Sequence, residues 1–157
     1  MNEPPRRILI VCSGNTCRSP LGAAILAARI ATIPELQGVV VASAGTGACE
    51  GAPASEGSYL IALERGLDLS GHHARQMTAE IVHDADLILT MSAAHSRRVA
   101  ELGGAQKAQL LTSFVGEAAA DVPDPYGEAI AKYRETAELL DRLMAQVVER
   151  LRRGLAQ

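Results

Sequence analysis

The residues best suited to chemistry follow a short apolar stretch near the N-terminus. Arg7 to Val11 reads RILIV, and the turn Cys12-Ser13-Gly14-Asn15-Thr16-Cys17-Arg18-Ser19 comes directly after it. A turn of this kind can wrap its backbone N–H groups around one point and then enter a helix. Free N–H donors and the positive end of a helix together form an anion site. Arg18 adds a planar guanidinium that matches two phosphate oxygens.

The same turn places a cysteine where an anion would bind. The field that attracts a phosphate also favours a thiolate over a thiol, so Cys12 is a candidate nucleophile toward a bound phosphorus. Gly14 and Asn15 tolerate the left-handed backbone that such a cradle needs. The alternative is a purely structural role, in which Cys12 is only a small buried hydrophobic residue at the end of a strand. The sequence predicts a phosphate site formed by Ser13, Gly14, Asn15, Thr16, Cys17 and Arg18.

The surrounding sequence predicts the elements that hold this turn. Strands are predicted over Arg7–Val11, Gly38–Ala42, Asp86–Thr90 and Ala108–Leu111. Ser19 and Pro20 look like the N-cap and first residue of a helix that continues from Leu21 to Ile30, and Ala54 to Arg65 forms a second helix. A long C-terminal helix carries an apolar stripe made of Ile130, Tyr133, Ala137, Leu140, Met144, Val147 and Leu151.

Strands that alternate with helices predict parallel pairing through right-handed crossovers. We therefore expect a single-domain, three-layer α/β/α fold with a central four-stranded parallel sheet. Ligands in such sheets bind beyond the carboxyl ends of the strands, where the turn after the first strand lies.

Composition narrows the function further. The 157 residues are 48% hydrophobic and carry a net charge of −3, which suits one compact domain and gives no basic face for nucleic acid. The apolar run before Cys12 is too short for a secretory signal or a membrane span, so we expect a cytoplasmic protein. Three cysteines make no disulfide framework. The histidine pair His72-His73 and the scattered carboxylates lack ligand spacing, so no metal or other cofactor is expected.

The stretch from Val11 to Pro20, VCSGNTCRSP, resembles the signature of the low-molecular-weight protein-tyrosine phosphatases. The resemblance covers nearly the whole chain, with further landmarks at Ser43-Ala44-Gly45, His72-His73-Ala74-Arg75 and Asp124-Pro125-Tyr126. It implies one phosphatase domain over residues 1–157 that acts on a phosphorylated protein through a cysteinyl-phosphate. No partner beyond the substrate is implied, and we expect a monomer or weak dimer.

The resemblance also implies roles for single residues. Asp124, which lies between Pro123 and Pro125, would be the general acid and then the base that activates water, with Asp121 as the fallback. A network of Asn15, Ser43 and His72 would support the cradle, and the Ser19 hydroxyl would steady the Cys12 thiolate. Cys12 and Cys17 would be able to form a reversible disulfide that protects the nucleophile from over-oxidation.

The choice of substrate rests on two residues, Ser13 and Tyr126. Tyrosine-directed members of the family carry an apolar residue after the nucleophile, whereas the similar bacterial protein-arginine phosphatases carry Thr. A buried Ser13 hydroxyl would be poorly satisfied beside a phenyl ring but could pair with a guanidinium, which favours phosphoarginine. Tyr126 is the aromatic residue that we expect to form a wall of the substrate slot.

Two alternatives remain. An arsenate reductase of this fold needs relay cysteines, and Gln76 to Ser96 contains none. A non-catalytic phosphate-binding module would not need Cys12 or Asp124.

Overall fold

The computed structural model describes residues 3–156, and the side chains of residues 155 and 156 are not described. Four strands are present in this part of the chain: β1 Arg7–Cys12, β2 Val40–Gly45, β3 Leu87–Thr90 and β4 Ala108–Leu110. The helices are α1 Arg18–Ile30, α2 Glu56–Glu64, α3 Ala79–Asp84, α4 Ala93–Glu101, α5 Leu111–Phe114 and α6 Ile130–Ala156, with a 3₁₀ turn at Pro34–Leu36.

The four strands form one parallel sheet in the order β2-β1-β3-β4. Strand β1 lies in the middle, and its residues from Ile8 to Cys12 are all buried. The predicted sheet is therefore confirmed, and its element boundaries agree with the predicted ones to within a few residues. Because every strand points the same way, the carboxyl ends of β1, β2 and β3 meet at one edge.

Each face of the sheet is covered by its own hydrophobic cluster. The larger one joins alternate residues of β1, Ile8 and Ile10, to helices α1, α2 and α6. The smaller one joins Leu9 and Val11 to α3 and α4 through Val82 and Val99. The period-2 alternation of a strand sends successive side chains to opposite faces, so one short apolar strand serves both clusters. The three-layer prediction is confirmed.

The predicted stripe of α6 is buried with one exception. Tyr133, Ala137, Leu140, Met144, Val147 and Leu151 are all in the core, but Ile130 is 41% exposed. Ile130 is the first residue of the helix, and burial begins one turn later, at Tyr133. Helical periodicity thus predicts the buried face of α6 but not the residue at which the helix meets the core. None of the helices described between residues 3 and 156 is long and apolar enough to cross a membrane.

Two local predictions need correction. Helix α1 begins at Arg18, after Cys17, and the Ser19 side chain does not cap it. Three helices, α3, α4 and α5, were not predicted. For α3 and α4 the sequence held a signal, since Thr78 and Ser92 accept hydrogen bonds from the backbone N–H three residues ahead. Both helices are short, with 6 and 9 residues, so each spans fewer than three turns.

Candidate active site

The loop between β1 and α1, residues 12–19, is here called the phosphate loop. Cys12 is the last residue of β1 and is almost completely buried. Its Sγ lies 2.8 Å from Ser19 Oγ and 3.4 Å from the backbone nitrogen of Ser19, in the first turn of α1. A sulfur anion at this position would face two donors and the positive end of a 13-residue helix. The prediction that Ser19 is an N-cap is wrong because its hydroxyl is instead directed at this sulfur.

Asn15 is the structural centre of the phosphate loop. It is fully buried and adopts a left-handed backbone with φ of 57°, which asparagine tolerates better than most residues. Its Nδ2 donates to Ser19 Oγ at 2.8 Å and to Ser43 Oγ at 2.9 Å. Its Oδ1 accepts from the backbone N–H of Arg75 at 2.9 Å, and its carbonyl accepts from His72 Nε2 at 2.7 Å. The structure thus brings Asn15, Ser43 and His72 together.

The hydrogen bond from Asn15 also determines where the Ser19 proton can point. Because Asn15 Nδ2 donates to Ser19 Oγ, that oxygen is already an acceptor. The Ser19 hydroxyl proton remains available for Cys12 Sγ, 2.8 Å away. The geometry is therefore that of a hydroxyl donor fixed toward a sulfur.

A glycine at the end of β2 lets a second loop support the first. The backbone N–H groups of Thr46 and Gly47 donate to the carbonyls of Cys12 and Ser13, at 3.0 and 2.9 Å. A Cβ on Gly45 would lie 2.5 Å from the Ser13 carbonyl oxygen, which is closer than real atoms approach. The two loops can pack this tightly only because Gly45 has no side chain.

Arg18 joins the phosphate loop to a second loop, residues 121–126, here called the acid loop. Only 7% of its side chain is exposed. Its Nη1 donates to the Val122 carbonyl at 2.9 Å, and its Nη2 lies 3.5 Å from both Asp124 Oδ2 and Ser13 Oγ. A buried guanidinium held at one nitrogen leaves the other free to exchange its weaker partners for a phosphate oxygen.

The acid loop is much more open. The Asp124 side chain is 48% exposed, and its Oδ1 accepts from the backbone N–H of Tyr126 at 3.0 Å. Tyr126 is 73% exposed. The fallback residue, Asp121, accepts from the backbone N–H of Ala93 at 3.0 Å, so it holds the start of α4. Of the two carboxylates, Asp124 is the one in contact with Arg18.

The remaining residues of the predicted phosphate site occupy different environments. Gly14 and Thr16 are half-buried. Cys17 is buried, and its Sγ donates to Ser55 Oγ at 3.2 Å and lies 3.8 Å from the Tyr133 hydroxyl. Cys12, Cys17 and Cys49 are all free thiols. The Cys12–Cys17 disulfide therefore stays a prediction.

Ser13 differs from what its expected role requires. We expected a buried hydroxyl beside the substrate, but Ser13 is exposed and its Oγ lies 2.9 Å from His95 Nε2. The hydroxyl already has a partner, so the idea that it would be unsatisfied beside a phenyl ring is wrong. Position 13 can still contact a substrate, but as a paired hydroxyl.

His95 was missed by the sequence analysis. Only 4% of it is exposed, and its Nδ1 has no hydrogen-bond partner among the described residues. Burial, and secondly the charge of Arg18, lower the pKa of His95 to about 4, although Asp121 and Asp124 act in the opposite direction. The signal that could have located it is its place in the helix after β3, whose carboxyl end lies beside that of β1.

These contacts define what the site can do. A buried sulfur faces a helix N-terminus, an arginine that can bind two oxygens lies in the same loop, and a half-exposed carboxylate contacts that arginine. This arrangement can hold a tetrahedral anion against a nucleophile and exchange a proton with its leaving group. Within residues 3–156, no group of three or more His, Cys, Asp or Glu side chains is placed to share a metal ion.

Comparison with known proteins agrees with this chemistry. Residues 7–157 match the family model described as low molecular weight phosphotyrosine protein phosphatase. The probable low molecular weight protein-tyrosine-phosphatase EpsP of Ralstonia nicotianae is 36% identical over 152 residues, covering 94% of this chain and 97% of that protein. The protein-arginine-phosphatase of Geobacillus stearothermophilus is also 36% identical, over 149 residues, with the same coverage.

A solved structure adds information on the chemistry. The YwlE arginine phosphatase, with its active-site cysteine replaced by a phosphorylated serine, superimposes with a TM-score of 0.86 at 32% identity. The match covers 93% of this chain and 95% of that one.

Proposed function

Because this chain belongs to the low molecular weight phosphotyrosine protein phosphatase family, we propose that Cys12, Arg18 and Asp124 remove phosphate from a phosphorylated protein through a cysteinyl-phosphate. The observation that carries the proposal is the position of Cys12 Sγ, which is buried 2.8 Å from the Ser19 hydroxyl at the start of α1. The structure of a relative with a phosphorylated serine in its active site supports a phosphoenzyme at this point.

In the first step, the backbone N–H groups of the phosphate loop and the Arg18 guanidinium bind the phosphate oxygens. The Cys12 thiolate donates an electron pair to phosphorus, so a P–S bond forms while the P–O or P–N bond to the leaving side chain breaks. Asp124 gives its proton to the departing oxygen or nitrogen. Its half-exposed position supports this role, because it can reach both a bound ester and water.

In the second step, water attacks the phosphorus of the cysteinyl-phosphate. The Asp124 carboxylate accepts a proton from that water, and the P–S bond breaks to return the thiolate and release inorganic phosphate. The Ser19 hydroxyl stabilises the sulfur as it regains its charge, which the 2.8 Å contact supports. Asn15, Ser43 and His72 hold the loop in shape, and this preorganisation avoids rearrangement during the reaction.

The substrate that we propose for this site is phosphoarginine in preference to phosphotyrosine. With its contacts to His95 and Arg18 in place, the exposed Ser13 oxygen keeps a lone pair to which a substrate guanidinium can donate, whereas a phenyl ring offers no such donor. Tyr126, which is exposed beside Asp124, would form the wall of the slot. The relatives above carry both names, so the family alone does not choose between them.

Substrate preference is tested by the ratio of kcat/KM for matched phosphoarginine and phosphotyrosine peptides. We expect the native protein to favour phosphoarginine and Ser13→Ile to shift the ratio toward phosphotyrosine, with Ser13→Thr as the control that keeps the hydroxyl. An unchanged ratio in Ser13→Ile would remove position 13 from substrate choice.

The phosphatase activity itself is tested with p-nitrophenyl phosphate. We expect a burst of nitrophenol equal to the enzyme concentration, a phosphorylated Cys12 in acid-quenched samples, and neither in Cys12→Ala, which has no nucleophile at this position. Phosphate binding with no burst and no turnover would instead favour the non-catalytic module. Arsenate reduction has no support in residues 76–96, which contain no relay cysteine.

We further propose that one phosphatase domain spans residues 1–157 and works in the cytoplasm as a monomer or weak dimer, without nucleic acid. The first two residues and the last lie outside the described part of the chain. Three cysteines in 157 residues form no disulfide framework, which supports a reducing compartment. For the Cys12–Cys17 disulfide, we expect peroxide to produce an intramolecular bridge that reductant reverses, as mass spectrometry would show. Inactivation without that bridge would argue against it.

A further inference from the structure

The junction between β3 and α4 contacts both catalytic loops. The Met91 carbonyl accepts from the backbone N–H of Val122 at 2.7 Å, and the Ala93 N–H donates to Asp121 at 3.0 Å, so the junction holds the acid loop. Two residues further along α4, His95 Nε2 lies 2.9 Å from Ser13 Oγ in the phosphate loop. The same few residues therefore fix the distance between the two halves of the site.

Ser13 contacts one group that can only donate, Arg18, and one that can donate or accept, His95. Arg18 Nη2, 3.5 Å from Ser13 Oγ, can only donate, so Ser13 Oγ is its acceptor. Ser13 has one proton to give, and a neutral imidazole can accept it at Nε2, which lies 2.9 Å from Ser13 Oγ. A neutral imidazole that accepts at Nε2 carries its proton on Nδ1, and that atom is buried without a partner. Burial and the Arg18 charge keep the ring neutral by lowering the pKa of His95 to about 4.

Arg18 Nη2 lies between two competing acceptors. Ser13 Oγ is on the phosphate-loop side and Asp124 Oδ2 on the acid-loop side, each 3.5 Å away. A Ser13 hydroxyl without a partner could rotate and turn its proton toward Arg18, which would repel the guanidinium. Accepting the Ser13 proton at His95 Nε2 keeps the oxygen lone pairs of Ser13 toward Arg18.

We propose that His95 is a positioning residue for phosphate binding, which acts through the Ser13 hydroxyl to hold Arg18 Nη2 toward the phosphate loop. The inference rests on the proposed function, since it assumes that Arg18 binds the phosphate. His95 does not touch the reacting atoms. An apolar side chain of similar size would fill the same space without leaving a buried ring nitrogen unpaired, so packing alone does not account for an imidazole here.

Two amide substitutions separate this role from packing. In His95→Gln the side-chain amide reaches the place of Nε2 and can accept the Ser13 proton, whereas the shorter amide of His95→Asn reaches only the place of Nδ1. The measurement is the inhibition constant of inorganic phosphate against p-nitrophenyl phosphate hydrolysis, with kcat and KM from the same data. Near-UV circular dichroism and thermal unfolding establish that each variant is folded.

We expect His95→Asn to raise the phosphate inhibition constant about 3- to 10-fold, the effect of one lost hydrogen bond, and His95→Gln to stay within about twofold of the native value. Ser13→Ala should cause the same loss as His95→Asn. The double variant Ser13→Ala/His95→Asn should be no weaker than either single one, because both act on one contact.

Equal phosphate affinity in folded His95→Asn and native protein would overturn the proposal, as would equal losses in the Asn and Gln variants or fully additive losses in the double variant. If His95→Asn does not fold, an unchanged phosphate inhibition constant in Ser13→Ala is sufficient by itself to overturn the proposal. Native protein that binds phosphate in calorimetry without turnover would refute the phosphatase function, and the same variants would still test His95 by phosphate affinity.

Discussion

The phosphate loop and the acid loop are built in opposite ways. Cys12, Asn15, Arg18 and Ser19 are buried, and Asn15 alone makes four hydrogen bonds through its side chain and carbonyl. The acid loop carries a half-exposed Asp124 and a mostly exposed Tyr126, and it is attached through Val122 to Met91 and Arg18.

The difference follows from what each loop would do. A cradle for an anion must present several donors at fixed positions, because donors that rearrange during the reaction lose most of their effect. A general acid must instead reach a leaving group of varying size and exchange its proton with water. The rigid loop is therefore the one that stabilises charge, and the solvent-accessible loop is the one that transfers protons. Four changes test this division.

The largest effect is expected from Asp124→Asn. Removing a general acid lowers kcat by about 10² to 10⁴-fold, and the loss should be greatest with phenyl phosphate, whose leaving group has a conjugate-acid pKa near 10. With p-nitrophenyl phosphate the first step needs little proton donation, so the loss should shrink. Steady-state kinetics on both esters measures this. Asp121→Asn is the matched control. An equal loss of kcat in that variant would show that Asp124 is not the specific general acid.

The next effect is expected from Gly45→Ala. The new methyl group would meet the Ser13 carbonyl oxygen at 2.5 Å, so the phosphate loop must move. A displacement of this kind costs about 1–3 kcal/mol of folding free energy and about 10- to 100-fold in kcat. Chemical denaturation and kinetics on p-nitrophenyl phosphate report the two quantities. Gly47→Ala is the control, since nothing lies within 4 Å of a Cβ there. If both variants behaved alike, tight contact between the two loops would not matter.

A smaller effect is expected on folding stability when the pH is lowered. The pKa of His95 is lowered from 6.5 to about 4 by burial and by Arg18, with Asp121 and Asp124 opposing the shift. Between these values the unfolded chain binds a proton that the folded chain does not, so stability falls as the pH falls. The slope is about 1.4 kcal/mol per pH unit at most. Urea denaturation at pH 6.5 and 5.5 should show this drop in the native protein and a shallower one in His95→Gln. Parallel curves would mean that His95 is not buried as a neutral ring.

No effect is expected from removing metal ions. The backbone donors, Arg18 and the helix N-terminus supply the positive field that a metal would otherwise provide. Turnover of p-nitrophenyl phosphate should be the same before and after dialysis against a chelator. A loss restored by one added divalent cation would show that the cradle alone does not stabilise the charge.

Several features could be predicted from the sequence alone because they depend on neighbouring residues. The strand before Cys12, the turn with its arginine and the helix after it form one continuous segment, and local spacing fixes their chemistry. The stripe of α6 follows from helical periodicity in the same way. Ser43, His72 and Asp124, in contrast, were assigned through the family resemblance, since no local pattern links them to Cys12.

Tertiary structure decided the contacts between distant segments. Arg18 contacts Val122, 104 residues away in sequence, and Ser13 contacts His95, 82 residues away. No local sequence pattern indicates either pairing. The close approach at Gly45 depends on how two loops pack at one edge of the sheet. Periodicity and spacing determine which residues share an element, but only strand order and loop packing determine which elements bring their side chains together.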